Sequence, residues 1–344
     1  PDEVGRRGVA AMVAGMQPAL ERLGTSFDRY QSELELHDSG LVEEALAQLE
    51  RDGYLYELDG ATFLRTTTFG DDKDRAVRRA NGATTYFAAD LGYLLHKYRR
   101  GYDRLIYVLG ADHHGFIARL KAAAQALGYD PDTCEISMLQ MVSLIEGGET
   151  KKMSKRRGDF VTMDELLNSI SVDAARYFLL QRTHDQTLDI DLDLAAQQSD
   201  QNPVFYIQYA HARICSIERK VSDDIGLTLD DPTVPLAEAL EAGYQLHPSE
   251  RRLVKRIAEL PIIVRESAER RLPHKLTHYV LDLAIDFSKF YRDCRVLGDG
   301  VQLHETRFRL AVAMATRTTL ATCLDLLGVS APERMESRVV EQPA

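Results

Sequence analysis

Apolar side chains recur at helical spacing over residues 1–24 and stop near Gly24, and Asp38-Ser39-Gly40 opens a second helical run, Leu41 to Arg51, that ends at Gly53. The period then changes. Tyr54-Leu55-Tyr56-Glu57-Leu58 and Ala61-Thr62-Phe63-Leu64 flank an Asp59-Gly60 pair, the pattern of two strands joined by a two-residue hairpin. From residue 83 the chain alternates: an apolar, aromatic stretch at 83–89, a helix through Arg99, a strand over Arg104–Leu109, and a helix from Gly115 to Leu127. A strand-rich segment from Ile136 to Ile145 follows and closes on Gly147-Gly148. Such alternation predicts a parallel α/β sheet. Thr162 and Glu165 predict a capping box for the next helix. Beyond Asn202-Pro203 the pattern is helical almost throughout, with breaks near Asp230–Pro235, Gly298–Gly300 and Gly328, which predicts a separate all-α bundle.

Length and charge narrow the picture. The 344 residues suffice for about two to three domains with sizeable cores. A net charge of −11 argues against a generally basic, sequence-blind nucleic-acid coat. The acidity is uneven: residues 201–344 carry 19 basic and 20 acidic side chains, so the excess sits in the first 200 residues. The four cysteines, Cys134, Cys215, Cys294 and Cys323, form no C-x-x-C pair and no cysteine–histidine cluster at zinc spacing, the usage of a reduced, cytoplasmic chain. No unbroken apolar stretch approaches about twenty residues and no leader pattern opens the chain, so neither membrane insertion nor secretion is expected.

The strand ending at Leu109 runs into Gly110-Ala111-Asp112-His113-His114-Gly115, placing polar side chains at the carboxyl end of a parallel strand, where α/β folds bind ligands. Adjacent histidines on such a turn diverge and have no third ligand nearby, so His113 and His114 read as orienting groups rather than metal ligands. Asp189, Asp191 and Asp193 mimic a calcium loop, but Leu194 stands where that loop needs glycine. His274 and His278 also lack a third partner, and no structural metal is expected. The glycine-flanked basic segment carries Lys152 and Lys155, two ammonium groups able to close over a polyphosphate and neutralise a leaving pyrophosphate; a solvated basic turn has the same composition. Tyr86 and Asp90 are four apart and share a helical face, as many pairs on amphipathic helices do. A carboxylate beside an aromatic wall is also what a planar guanidinium needs. Phe205, Tyr206 and Tyr209 fit a stacking platform for unpaired bases and core packing equally well. Arg251, Arg252, Lys255 and Arg256 fit either phosphate contacts or a solvated face.

Lys152-Met153-Ser154-Lys155-Arg156-Arg157-Gly158-Asp159-Phe160-Val161-Thr162 resembles the extended lysine-rich signature of arginyl-tRNA synthetases, members of class I. The run from Asn202 to Arg213 resembles the opening of that family's anticodon-binding domain, and Phe69–Arg75, Gly110–Gly115, Phe290–Leu297 and Ala331–Met335 match as well. The resemblance runs from about Phe27 to Met335. It implies an α/β fold: an incomplete class I nucleotide-binding (Rossmann-like) parallel sheet followed by an all-α anticodon-binding bundle. The division it implies is residues 1–150 for the second part of the catalytic domain, with a connective insertion at about 25–70, then 151–200 for the signature loop and connecting helices, and 201–344 for the anticodon-binding domain.

By the same resemblance the chain is a ligase that activates L-arginine with ATP and transfers it to tRNA(Arg). Lys152 and Lys155 would stabilise the departing pyrophosphate, Glu33, Tyr86, Asp90 and Asp112 would hold arginine, and Gly110, Asp112, His113, Met153, Ser154 and Lys155 would contact ATP. Tyr206, Tyr209 and Arg213 join Arg251, Arg252, Lys255 and Arg256 as candidate tRNA contacts. The implied partners are tRNA(Arg), L-arginine and ATP, with Mg2+ accompanying the ATP, no membrane, and a monomeric state. Arg157 and Asp159 depart from the small and amide residues commoner in the family. The family's His-x-Gly-His signature does not occur, so the chain reads as the C-terminal part of a longer enzyme, impaired by itself. The alternative is a non-catalytic tRNA-binding module derived from one.

Overall fold

The computed structural model describes residues 2–151, 161–231, 233–241 and 243–335. In chain order these form α1 (Asp2–Arg22), α2 (Glu33–Asp38), α3 (Leu41–Arg51), β1 (Leu55–Leu58), β2 (Ala61–Leu64), β3 (Arg75–Arg78), α4 (Tyr86–Arg99), β4 (Leu105–Gly110), α5 (Phe116–Ala126), β5 (Cys134–Leu139), β6 (Val142–Glu146) and β7 (Glu149–Thr150). Then follow α6 (Met163–Ser169), α7 (Val172–Leu179), β8 (Leu188–Asp191), α8 (Leu192–Ala196), α9 (Pro203–Ile225), α10 (Thr233–Glu241), α11 (Pro248–Arg270), α12 (His274–Asp293) and α13 (Leu303–Leu327). The chain folds into two compact units. The smaller comprises Phe27–Met141 with His184–Thr187, and the larger comprises Pro1–Ser26, Val142–Thr183 and Leu188–Ala344.

In the smaller unit, α3 buries Val42, Ala45, Leu46 and Leu49, the three-and-four spacing of an amphipathic helix, in one core with Phe87, Leu91, Leu94 and Leu95 of α4. A Cβ at Gly92 would stand 2.9 Å from the Val42 Cα, so only glycine lets α4 approach α3 this closely. The expected hairpin forms: Asp59 and Gly60 both adopt positive φ (52° and 76°), the turn that matches strand twist, and Leu58 pairs with Ala61. The helix expected through Arg99 begins inside the 83–89 stretch, at Tyr86, because Thr85 caps it. Thr85 Oγ1 accepts from Ala88 N–H (3.3 Å) and donates to Ala76 O (2.8 Å), fastening α4 to β3. β4 and β5 pair in parallel from Leu105–Cys134 to Gly110–Leu139. Leu105 and Cys134 are buried in the core of this unit, while Ile106 and Val108 on the opposite face are 45% and 62% exposed, an uncommon situation for parallel strands.

The larger unit carries a small sheet in which β6 runs antiparallel to β7 and parallel to β8. The capping box at α6 is formed in both directions: Glu165 N–H donates to Thr162 Oγ1 (3.2 Å) and Thr162 N–H to Glu165 Oε2 (2.8 Å). Asn202 starts α9, its Oδ1 accepting from Val204 N–H at 3.0 Å with Pro203 in the first turn. Ile207 and Ile214 of α9, Leu253 of α11, Phe287 and Phe290 of α12, and Leu320 and Leu324 of α13 share one core. By length and composition α13 could cross a bilayer, although no unbroken apolar run marks it; 56% of its apolar window is buried within the bundle, the behaviour of a core helix. Arg176 on α7 ties two helix ends together, its Nε donating to Leu327 O (2.9 Å) and its Nη1 to Leu23 O (2.8 Å). Gly328 follows at a φ of +67°, and a Cβ there would collide with this guanidinium.

Candidate functional site

Two groupings of the predicted residues emerge, one in each unit. In the smaller unit, α4 carries Tyr86 at its first position, 78% exposed, and Asp90 one turn further, half-buried. Among the described residues Asp90 has no hydrogen bond and no ion pair. Burial pushes its carboxyl up to about 6; the charge of Arg119 opposes this, the charge of Glu33 adds to it, and Lys97 again opposes it. Glu33, the exposed first residue of α2, is therefore within electrostatic reach of Asp90, and the two negative groups raise the demand for a cation.

The cations already nearby do not meet that demand directly. Arg119 on α5 lies over the Phe116 ring (4.5 Å) and nearer that ring than Phe87 (5.9 Å), and its buried Nε has no hydrogen-bond partner. Lys97 is held between the rings of Tyr93 (3.8 Å) and Tyr107 (3.9 Å), and burial pushes its ammonium down to about 8. Sequence reasoning missed both: neither sits in a motif, Lys97 lies two turns after Asp90 on the same face of α4, and Arg119 comes near only through the packing of α5 beside α4.

At the carboxyl end of β4, Gly110, Asp112 and His113 lie together. A Cβ on Gly110 would stand 2.8 Å from Asp112 Oδ1, so the glycine makes room for that carboxylate. Asp112 is exposed, 3.8 Å from His113 Nε2, and the His113 ring meets Phe116 edge-on at 5.3 Å. Tyr107 of the same strand is raised by its burial and feels the charges of Cys134 and Asp90, which links this strand electrostatically to α4. Lys152, Met153, Ser154 and Lys155 lie outside the described residues.

In the larger unit the aromatic set divides. Tyr206 turns inward, packs against the core and donates to Ser288 Oγ at 2.8 Å. Phe205 and Tyr209 stack in parallel (6.1 Å, 6°) along the other side of α9, and Arg213 continues the row over Tyr209 (4.5 Å). The same guanidinium meets Tyr291 of α12 at 4.9 Å; Tyr291 is 44% exposed and lies in the Phe290–Leu297 stretch that resembles the family, though it is not among the candidate tRNA contacts. A row of partly exposed rings with one guanidinium can stack unpaired bases. Arg251, Arg252 and Lys255 stand exposed on α11, whereas Arg256 is drawn into ion pairs with Glu259, Asp282 and Asp286.

The acids set aside as a calcium loop have structural partners: Asp191 Oδ1 accepts from Leu194 N–H (2.9 Å) and Asp193 Oδ2 from Gly147 N–H (2.7 Å). Among the described residues no group of three or more His, Cys, Asp or Glu side chains could hold a metal ion.

Comparison with known proteins places these groupings in context. Residues 21–216 match the family model described as tRNA synthetases class I (R), catalytic domain, and residues 207–335 match the DALR anticodon binding domain. The arginine–tRNA ligase of Moorella thermoacetica is 50% identical over 92% of this chain and 55% of its own length. That of Desulfitobacterium hafniense is 45% identical over 96% of this chain and 58% of its own. The chain thus spans somewhat more than half the length of these curated relatives. A solved structure from Campylobacter jejuni assigned to the arginyl-tRNA synthetases superimposes with a TM-score of 0.83 at 32% identity, covering 95% of this chain and 68% of that one. The Thermus thermophilus arginyl-tRNA synthetase shares the fold, with a TM-score of 0.75 at 23% identity over 96% of this chain and 64% of that one.

Proposed function

The chain belongs to the class I tRNA synthetases of the arginine type, and from that premise we propose that it takes part in joining L-arginine to tRNA(Arg) at the expense of ATP. The arginine carboxylate would attack the α-phosphate of ATP and expel pyrophosphate, and the terminal ribose hydroxyl of the tRNA would then attack the activated carbonyl and release AMP. Such a reaction needs positioning and charge stabilisation and no protein nucleophile. The observation that carries the reading is Asp90: a half-buried carboxylate, held up to about 6, with no hydrogen-bond or ion-pair partner among the described residues and a second carboxylate, Glu33, within reach. A guanidinium satisfies both charges and can rest against Tyr86, whereas an ammonium offers no planar fork.

Asp112 would receive the amino group of arginine or a ribose hydroxyl, and Gly110 and His113 would flank the nucleotide. The roles of Lys152, Met153, Ser154 and Lys155 at the phosphates rest on the sequence resemblance alone. Magnesium enters as part of the ATP substrate. On the larger unit, Phe205, Tyr209, Arg213 and Tyr291 would stack bases of the anticodon loop. Four buried free cysteines suit a reduced cytoplasm, where this work is done by a monomer.

The test is calorimetric titration with L-arginine beside L-lysine and L-citrulline, together with charging of tRNA with radiolabelled arginine. Arginine binds and the other two do not, and Asp90→Ala abolishes both arginine binding and charging. Equal binding of citrulline, which keeps the shape and loses the charge, would overturn the reading.

A further inference from the structure

A groove of about 640 Å3 runs between α11 and α12, and its walls are charged. Five cations line it, Arg251, Arg252, Lys255 and Arg256 from α11 and Lys289 from α12. The three carboxylates that also line it, Glu259, Asp282 and Asp286, all converge on one of these cations: Arg256 reaches them at 3.1, 3.6 and 3.2 Å. Lys289 sits 3.8 Å from Asp286. Arg251, Arg252 and Lys255 are left exposed, with no carboxylate partner among the described residues.

Unpaired cations on a convex helix face carry little meaning, because exposed pairs are worth so little that their absence is common. Here the arrangement differs in two respects. Arg256 holds all three acids, so none of them contacts Arg251, Arg252 or Lys255, and five cations against three carboxylates leave the groove an excess of two positive charges. The surface is also concave, and a cleft lined by an excess of one sign concentrates potential. Arg251 and Lys255 are four residues apart, about 6 Å along the axis, which sets out a ladder of donors rather than a single point charge. No substrate group in the smaller unit calls for such a ladder; a polyanionic strand does.

The position of the groove indicates whose strand. α12 carries Lys289 in the groove and, two residues on, Tyr291 against Arg213 in the stacking row. Two positions on a helix are a rotation of about 200°, so the groove and the stacking row flank α12 on two sides, and an RNA that crosses this helix meets both. We infer that the α11–α12 groove binds the backbone phosphates of the same RNA whose unpaired bases stack on Phe205, Tyr209 and Tyr291, through Arg251, Arg252, Lys255 and Lys289, with Arg256 as the residue that keeps the acids aside. This rests on the tRNA reading above and adds to it a second contact that is blind to base sequence.

The two surfaces have different signatures, and that difference is the test. Fluorescence-anisotropy titrations of the protein would use three RNAs, the cognate anticodon hairpin, the same hairpin with a scrambled loop, and an unstructured strand of equal length, at about 50 to 200 mM salt. Removing phosphate contacts weakens all RNAs alike and flattens the salt dependence by about 0.7–0.9 per lost contact. The triple variant Arg251→Ala/Arg252→Ala/Lys255→Ala therefore loses about tenfold or more in affinity for every RNA, and its log–log salt slope drops by about 2–3. Tyr209→Ala loses affinity for the cognate hairpin and keeps the salt slope. Lys289→Ala, on the other helix, lowers the slope by about 1 and serves if the triple variant does not fold. If the groove variants bind every RNA with unchanged affinity and slope while Tyr209→Ala loses the cognate hairpin, the groove is a solvated face, the inference fails and the tRNA reading stands. If inorganic phosphate binds the wild type and not the triple variant while RNA affinity is the same in both, the groove is a small-anion site and the inference fails. If the wild type binds none of the three RNAs, both fall together.

Discussion

Among the described residues, the carboxylates withdrawn from water are answered by their own chain with one exception, and Glu250 and Asp286 of the larger unit set the standard against which Asp90 of the smaller unit stands out. In the larger unit, fully buried Glu250 accepts from Arg309 Nε (2.8 Å), from the Tyr244 hydroxyl (2.9 Å) and from His247 N–H (2.8 Å), and Asp286 is paired with Arg256. In the smaller unit, buried Asp71 is likewise answered, by Arg75 at 2.7 Å, whereas Asp90 has burial without a partner, and its nearest cations are spent on aromatic rings. A buried charge that is fully answered by its own chain has a structural role. One left unanswered is a cost to the fold, and it is the kind of group the proposed arginine site calls for.

The largest expected effect tests the answered side. Glu250→Ala removes the buried partner of Arg309, leaving it Glu305 at 3.3 Å, strips the Tyr244 hydroxyl of its acceptor, and costs about 3 kcal/mol in urea denaturation. A loss below about 1 kcal/mol, the worth of an exposed pair, would erase the distinction between the two kinds of buried acid.

The unanswered side gives the opposite sign. Because the folded Asp90 carboxyl sits near 6, above its ordinary value near 3.8, the folded state holds the proton more tightly, and this group's contribution to stability falls as pH rises from about 4 to 6 and is constant above that. Asp90→Asn is therefore more stable than wild type at pH 7.5, by about 2–6 °C in Tm, and the gap closes toward pH 4.5. Saturating arginine raises the Tm of the wild type and leaves that of Asp90→Asn unchanged. Arginine affinity of the wild type falls about tenfold between pH 7.5 and pH 5, as the carboxylate it needs takes up its proton. A variant destabilised at every pH would place Asp90 with Glu250 after all.

The smallest effect calibrates the scale. Thr162→Ala removes one exposed cap bond from α6 and costs about 1 kcal/mol by the same denaturation assay. A larger loss would mean that surface hydrogen bonds in this unit carry weight assigned here to its buried pairs.

What the sequence revealed follows the range of the interactions concerned. The α3 helix, the Asp59-Gly60 hairpin, the Thr162–Glu165 box and the Asn202-Pro203 start of α9 are written within a few neighbouring residues, and each forms where expected. Short α2 and β3 have no such local mark: β3 exists because β2 and the Thr85 cap of α4 hold it in place. The site behaves likewise. Tyr86, Asp90 and Lys97 share a helix face that spacing alone can see, but Arg119 reaches Asp90 only through tertiary packing. Spacing also left open which of the aromatics after Asn202 faces outward, and the Tyr206–Ser288 bond to a residue 82 positions away decides it.

The Arg176 clasp bears on the order in which the chain can assemble. Its two acceptors lie 153 residues before it and 151 residues after it, so the larger unit cannot close until nearly the whole described chain is available. Such distant contacts are slow to find. During synthesis, the smaller unit's helical core, drawn from one continuous stretch, can condense while the carboxyl ends of α1 and α7 still wait for α13 to emerge from the ribosome.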